Sequence, residues 1–425
     1  KHIWIVNPFD QLPNESDIPL RFWSLSKSLA NEGFKVIWWS SNFSHKNKTF
    51  RSNCDDTDGF SIKLIKTPTY KKNISLSRIK SHIIFAKNFY HEAINNLKSN
   101  KLEKPFRIIV SSPPLGVAES AFKIKNYINN SMKNKGNNTK YNFTDNCQVI
   151  LDIMDVWPEA FYRIFPKQIK YYIAPILMYP FHYSADKAYQ RADKISAVGQ
   201  SYIEIAKGYL NTNKNNIFRL LNLKKNYEPK NIKKKIHLCY HGVDLKRFKS
   251  ELVANKSIEY DKLKNRIESA KFDVNNKEKI HLQIVYIGAM NSGYDLHTVI
   301  SFAEKWNMEG EIPLQIHFAG KGDLLNKLME RSKELGLLDT SNDKNQKLKI
   351  FYHGYLNNSE INKLLLSSDI ALITNRADTL VACPYKAGEY AGAGLPMISC
   401  LSGEFNDLLN FWNSGLAYEH ENIQS

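Results

Sequence analysis

At 425 residues, 43% hydrophobic and 24% charged, the chain is too long for one core and too apolar to be disordered, so two domains of roughly 150 to 250 residues are expected. A formal net charge of +17 calls for anionic partners: polyanions, anionic lipid or phosphate-bearing ligands. Cys54, Cys147, Cys239, Cys383 and Cys400 form no CxxC pair and no cluster with histidine, which argues against a disulfide framework or zinc site and for a reducing, cytosolic compartment.

The first strand, HIWIV (2–6), begins without a basic leader, and no run approaches the roughly 18 consecutive apolar residues of a span. Neither a signal peptide nor a transmembrane helix is therefore expected. Pro19 to Asn31 reads as a helix, with Arg21, Leu25 and Leu29 at helical spacing and Gly33 as its stop. Further strands are predicted at 35–41, 61–67, 107–112, 148–154, 194–199 and 236–242. A second series follows at 282–288, 314–320, 348–354, 370–374 and 395–400, opened by the loop GAMNSGYD. Short apolar runs alternating with amphipathic stretches indicate α/β architecture with parallel sheets. Two doubly wound, Rossmann-like domains are expected at 1–250 and 251–425, joined in the polar stretch 248–279, with KKNYEPKNIKKK as a loop inside the first.

Ligands of such sheets bind at the carboxyl ends of the strands, so the loops there are the candidates. In CPYKAGEYAGAGLPMIS (383–399), Pro384 suits a first helical turn and Gly394 its end. Tyr385 and Glu389 lie one turn apart. A carboxylate at 389 can accept both hydrogens of a ribose diol, and Lys386 at the helix start can face a diphosphate. Read alone, the segment is equally an ordinary surface helix whose small residues permit close packing on the sheet. In LDIMDVWPEA (151–160), Asp155 ends a strand and can orient or deprotonate an acceptor hydroxyl, with Trp157 and Glu159 beside it. The plainer alternative is an aromatic cap on the sheet edge with Glu159 in the next helical turn. In HFAGKGD (317–323), Gly320 allows backbone to approach a ligand and Lys321 can meet phosphate, or the run is a tight turn.

These segments resemble the retaining glycosyltransferases of family four. The 383–399 run is similar to their nucleotide-sugar signature, a P-x-K-x-x-E-Y core followed by A-x-G-x-P, and D-V-W-P-E is similar to the D-x-W-P-E element of bacterial members that assemble surface polysaccharides. SSPPLGVA, ADKISAVGQSY, HGVDLKRF, IVYIGAMNSG, HFAGKGD and FYHGYLNNSEI follow in the family's order over nearly the whole chain. The resemblance implies a GT-B fold, two Rossmann-like domains facing a central cleft. It also implies transfer of a sugar from a nucleotide diphosphate, with retention, to a growing, lipid-diphosphate-linked bacterial surface glycan such as lipopolysaccharide or capsule. It implies no metal or other cofactor, and a further helix after residue 425.

Residue by residue, it places Glu389 at the ribose, Lys386, Tyr385, Gly288, Gly320 and Lys321 about the donor, and Asp155, Trp157 and Glu159 on the acceptor side. Arg21 matches an arginine of related enzymes near the diphosphate, with a helix-surface ion pair as the rival. The departures are specific. Val381 stands eight positions before Glu389, where many members have a second glutamate; the nearest acid is Asp378. The Arg and Lys that members carry after the first strand of the second domain are replaced by Asn291 and Ser292 as neutral donors. His241 and His353 are expected to be structural or at the cleft wall, not catalytic.

Residues 77–93 and 161–183 interleave aromatic, aliphatic and basic side chains, which suits core helices or an interface with anionic lipid. A peripheral enzyme at the inner face of the cell membrane follows from the second choice. The rivals are a GT-B-like nucleotide-sugar 2-epimerase, which would need catalytic carboxylates and histidines, and a nucleic-acid-binding protein. The latter rests on charge alone, since no nucleic-acid-binding signature accompanies it, and nucleic acid is not expected as a partner.

Overall fold

The computed structural model describes every residue except 17, 53–57, 74, 134–145, 167, 169–171, 211–234, 249–280, 340–345, 377–378, 423 and 425. The lysine-rich run at 224–234, most of the expected joint, Cys54 and Asp378 lie outside the described residues. The chain divides into two compact units, Lys1–Tyr240 and His241–Ser425.

The first unit is a seven-stranded parallel sheet in the order β3-β2-β1-β4-β5-β6-β7. Its strands are β1 (His2–Val6), β2 (Lys35–Ser41), β3 (Ser61–Ile65), β4 (Pro105–Ser112), β5 (Gln148–Ile153), β6 (Lys194–Ala197) and β7 (Ile236–Leu238). Between them run α1 (Arg21–Asn31), α2 (Leu76–Lys98), α3 (Leu115–Lys133), α4 (Ala174–Arg191) and α5 (Gln200–Leu210). β1 and β2 are buried along nearly their whole length, as strands covered by helices on both faces must be. Ile3, Ile5, Phe22, Trp38 and Phe60 form one core under α1. Helix α1 has no side-chain cap of its own; Asp10, reaching back from the loop after β1, accepts the Phe22 amide at 3.1 Å. Gly33, with φ of 80°, ends the helix as expected.

The second unit repeats the plan, with sheet order β10-β9-β8-β11-β12-β13. Its strands are β8 (Leu282–Ile287), β9 (Leu314–Ala319), β10 (Leu348–Gly354), β11 (Ile370–Ile373), β12 (Met397–Ser399) and β13 (Gly415–Ala417). Its helices are α6 (Leu296–Glu309), α7 (Leu325–Glu334), α8 (Asn358–Ser367), α9 (Tyr385–Gly392) and α10 (Glu404–Phe411). In each unit the winding reverses beside the first strand, at β1/β4 and at β8/β11, and the ends of those strands are the places where a ligand is expected. The sequence expectation missed only β13, three residues with little side-chain pattern. It also carried the first domain to 250, whereas HGVDLKRF packs in the second unit and Phe248 is fully buried in that unit's core.

Candidate active site

Three loops meet in the second unit at the carboxyl ends of β8 and β9. Gly288 leaves β8 with φ of 148° and donates its amide to Ala319 at 2.9 Å; Met290 donates to Lys321 at 2.9 Å. A Cβ on Gly320 would lie 1.8 Å from the Gly288 carbonyl oxygen, and one on Gly322 would lie 2.1 Å from that of Met290. These glycines thus let one loop's backbone lie against another's, where the expectation had them opening room for a ligand. Lys321 is exposed, its ammonium 4.9 Å from the Tyr355 ring centroid. Asn291 turns its Oδ1 inward to the Gly293 amide at 2.9 Å, and Ser292 is exposed at the loop's tip.

Helix α9 is pinned to this corner by Tyr390, whose hydroxyl accepts the Ile287 amide at 2.9 Å. Lys386, in the first turn of α9, is thereby driven under the β8 loop. Its ammonium lies 4.3 Å from the ring centroids of both Tyr286 and Tyr294, sealed from solvent, with no hydrogen-bond partner among the described residues. Burial away from water pulls this amine down to about 7, only weakly opposed by the Cys400 thiol. The Cβ that Gly288 lacks would lie 3.1 Å from Nζ. Buried ammonium groups are ordinarily paired; this one has only two ring faces.

One turn on, Glu389 accepts a hydrogen bond from Arg247 at 2.8 Å, and the same guanidinium donates to Asn362 at 2.9 Å. Arg247 belongs to HGVDLKRF, whose place against α9 was not foreseen. The spacing of Gly388 and Gly392 is the signal that could have found it. A Cβ at 388 would meet Val243 at 3.7 Å, and one at 392 would meet the Phe248 ring at 2.9 Å. The small face of α9 therefore receives this segment. His241 stacks on Tyr385 with centroids 3.7 Å apart, and His353 bonds His317 at the edge of the sheet at 2.9 Å.

In the first unit Asp155 is exposed just beyond β5. Its carboxylate accepts the Val156 amide at 2.9 Å and the Trp157 indole N–H at 3.2 Å, which fixes the indole against Phe161, His82 and Arg78. Glu159 opens a 3-10 turn (Glu159–Ile164) and accepts from the Tyr209 hydroxyl at 2.8 Å; that hydroxyl also bonds His182. It joins a network between helices. Arg21 is likewise engaged within the first unit. It donates to both carboxylate oxygens of buried Asp152 at 2.7 and 2.9 Å and to the carbonyls of Cys239 and Tyr240 at 3.0 and 3.1 Å. This bidentate pair is interior, unlike the helix-surface ion pair offered as the rival reading. Among the described residues no group of three or more His, Cys, Asp or Glu side chains is placed to hold a metal ion, and no helix is long and apolar enough to cross a membrane.

No protein-family model and no curated protein matches the sequence. Solved structures do match over the whole chain. The Anabaena protein HepE, in complex with UDP-glucose, is 10% identical with a TM-score of 0.53, covering 100% of this chain and 86% of its own. A glycosyltransferase from Rickettsia africae is 16% identical with a TM-score of 0.51, covering 100% and 85%. WaaG, a glycosyltransferase involved in lipopolysaccharide biosynthesis, is 10% identical with a TM-score of 0.53, covering 98% and 86%. Two parallel-sheet, Rossmann-like units and the likeness to these structures over the whole chain give it the GT-B fold.

Proposed function

We propose that the protein is a retaining glycosyltransferase that moves a sugar from a nucleotide diphosphate to a lipid-diphosphate-linked surface glycan, working at an anionic membrane surface on the inner face of the cell membrane. The observation that carries the reading is the unpartnered ammonium of Lys386 at the switch point of the second unit. An anion at that corner supplies the missing counter-charge, and a diphosphate is the group a nucleotide-sugar enzyme would bring there. Glu389, oriented by Arg247, is assigned to the ribose hydroxyls; Tyr385, Gly288, Asn291, Ser292 and Lys321 surround the donor. In the first unit Asp155 orients the acceptor hydroxyl.

The sugar's anomeric carbon breaks its bond to the diphosphate oxygen as the acceptor oxygen bonds on the same face, and the acceptor proton leaves with the diphosphate. The residues assigned to the reaction call on no metal ion. HepE and WaaG support the donor class and the surface-glycan setting by likeness of fold.

The test is a thermal-shift and calorimetric titration with nucleoside diphosphates and their sugars. A cognate nucleotide at a hundred times its Kd should add about 2.7 kcal/mol of stability. Binding should be accompanied, with a lipid-linked acceptor, by release of the nucleoside diphosphate and growth of the glycan by one sugar. Absence of any stabilising nucleoside diphosphate at millimolar concentration would remove the reading.

A further inference from the structure

A second concentration of positive charge lies in the first unit, at the start of α2. Arg78 donates to the Asn73 carbonyl at 2.7 Å, and Lys48 donates to the Asn73 side-chain oxygen at 2.7 Å, so two cations converge on one residue. Among the described residues neither has a carboxylate within ion-pair distance, although Arg78 bonds the Tyr70 hydroxyl and feels the Asp155 carboxylate at longer range. Around them are His45, which bonds the Tyr70 hydroxyl at 2.6 Å, and His82, which accepts from Arg78 Nε at 3.3 Å. Burial is the main cause that brings His45 down to about 4 and His82 to about 3, so both rings are neutral and the charge is that of Arg78 and Lys48.

Beside this cluster opens a pocket of about 270 Å³ whose wall includes Arg78, Ile79, Trp157, Phe161, Met178 and Phe181. It is apolar apart from its rim. Trp157, on that wall, is the residue whose indole Asp155 holds, so the pocket adjoins the acid assigned to the acceptor. The helices that flank it turn large apolar side chains outward: Leu76 is 84% exposed on α2, and Ile176 is 72% exposed on α4. A soluble core helix has no use for such a face, and a free anion has no use for such a pocket.

We infer that this pocket receives the lipid end of the acceptor, with Arg78 and Lys48 holding a phosphate or diphosphate and the cavity between α2 and α4 taking the adjoining hydrocarbon. The inference rests on the transferase reading for its biological sense but on none of its donor residues. Charge and apolar lining together select the ligand: two cations with one nearby acid, Asp155, leave an excess of positive charge that favours an anion, and the aromatic walls favour an anion that carries a chain.

The experiment titrates the full chain calorimetrically with decyl diphosphate below its micelle concentration, beside inorganic diphosphate and decanol, with UDP as a separate arm. Decyl diphosphate should bind at least about tenfold more tightly than either half alone, and R78Q and K48Q should each weaken it by about tenfold or more. F181A should weaken decyl diphosphate and leave inorganic diphosphate unchanged. UDP affinity should be the same in all three variants. K48Q keeps the test decisive should R78Q lose its thermal transition. Binding of decyl diphosphate that survives both charge substitutions, or no binding at all, overturns the inference; if UDP still binds, the transferase reading stands without it. Binding of decyl diphosphate with no binding of UDP keeps this site and removes the donor reading.

Discussion

Replacing Lys386 by Met tests the central observation in both stability and binding. In the unfolded chain a lysine amine titrates at 10.5, and in the folded second unit burial brings Lys386 down to about 7. Below pH 7 the amine is charged in both states, and the folded state bears the whole cost of sealing the charge in. At about 1.4 kcal/mol for each pH unit of that difference, the cost is on the order of 5 kcal/mol. Between pH 7 and 10.5 the unfolded chain binds more protons than the folded one, so stability rises with pH; by pH 9 the cost has fallen to about 2 kcal/mol.

K386M fills the same volume without an amine. It should therefore be more stable than the wild type, by about 10 to 20 °C at pH 6 if each kcal/mol is worth about 2 to 4 °C in a unit of this size, and by less at pH 9. A diphosphate reverses the balance by giving the ammonium a partner, so UDP affinity in the wild type should weaken as pH rises above about 7 and be lost in K386M. The assay is unfolding at pH 6 to 9 with and without nucleotide. A K386M protein no more stable at pH 6, or a stability gap that does not narrow toward pH 9, would refute the reasoning.

Glu389→Gln removes the charge-assisted bond to Arg247 and should weaken nucleotide binding by about 1.5 to 3 kcal/mol with the fold intact; calorimetry showing unchanged affinity takes Glu389 out of the site. Asp155→Asn keeps an acceptor oxygen for the Trp157 indole, so kcat should fall while donor Kd holds, and an equal loss in Kd would make Asp155 a donor or structural residue. Gly320→Ala sets a Cβ 1.8 Å from the Gly288 carbonyl oxygen and should cost about 3 kcal/mol or more in denaturant unfolding, against little change for Gly242→Ala, whose Cβ would meet nothing within 4 Å. Vesicles with anionic lipid should sediment the protein at low salt and release it as the screening length shrinks from about 10 Å at 0.1 M, and Ile176→Ser with Leu177→Ser should reduce this; equal binding to neutral vesicles would exclude the membrane face.

The fold was legible because parallel strands buried on both faces are continuous apolar runs, and runs such as HIWIV and KVIWWSS end where their helices begin. The loops holding the site were legible for the same reason, since they must follow strand ends. Partners were not. Asp152 lies 131 positions from Arg21, inside a strand where it reads as one polar residue in QVILDI, and Arg247 lies 142 positions from Glu389. Residue type and local spacing carry no record of such pairings. Only the glycine spacing of α9 records its neighbour, because a close approach leaves a mark on the sequence that an ion pair does not.

That difference decides which cations are available to a ligand. Arg21 and Lys386 look alike in the sequence, each a base near the start of a helix after a strand, and both were assigned to the diphosphate. In the structure Arg21 has a buried carboxylate at 2.7 Å and two carbonyls, so a phosphate there would add a negative charge to an interior pair that is already neutral. Removing Asp152 would strand the guanidinium, at about 3 to 5 kcal/mol, which makes the pair a structural tie of the first unit. Lys386 has no hydrogen-bond partner among the described residues. The same criterion applied to the first unit passes over Arg51, which pairs with Glu15 at 3.0 Å, and stops at Arg78 and Lys48. Among the described residues Lys386 at the switch point of the second unit and the Arg78–Lys48 pair beside the Asp155 loop stay candidates for anions, and the proposed transfer of a sugar from a nucleoside diphosphate, which leaves, to a lipid diphosphate acceptor needs two anion sites of that kind.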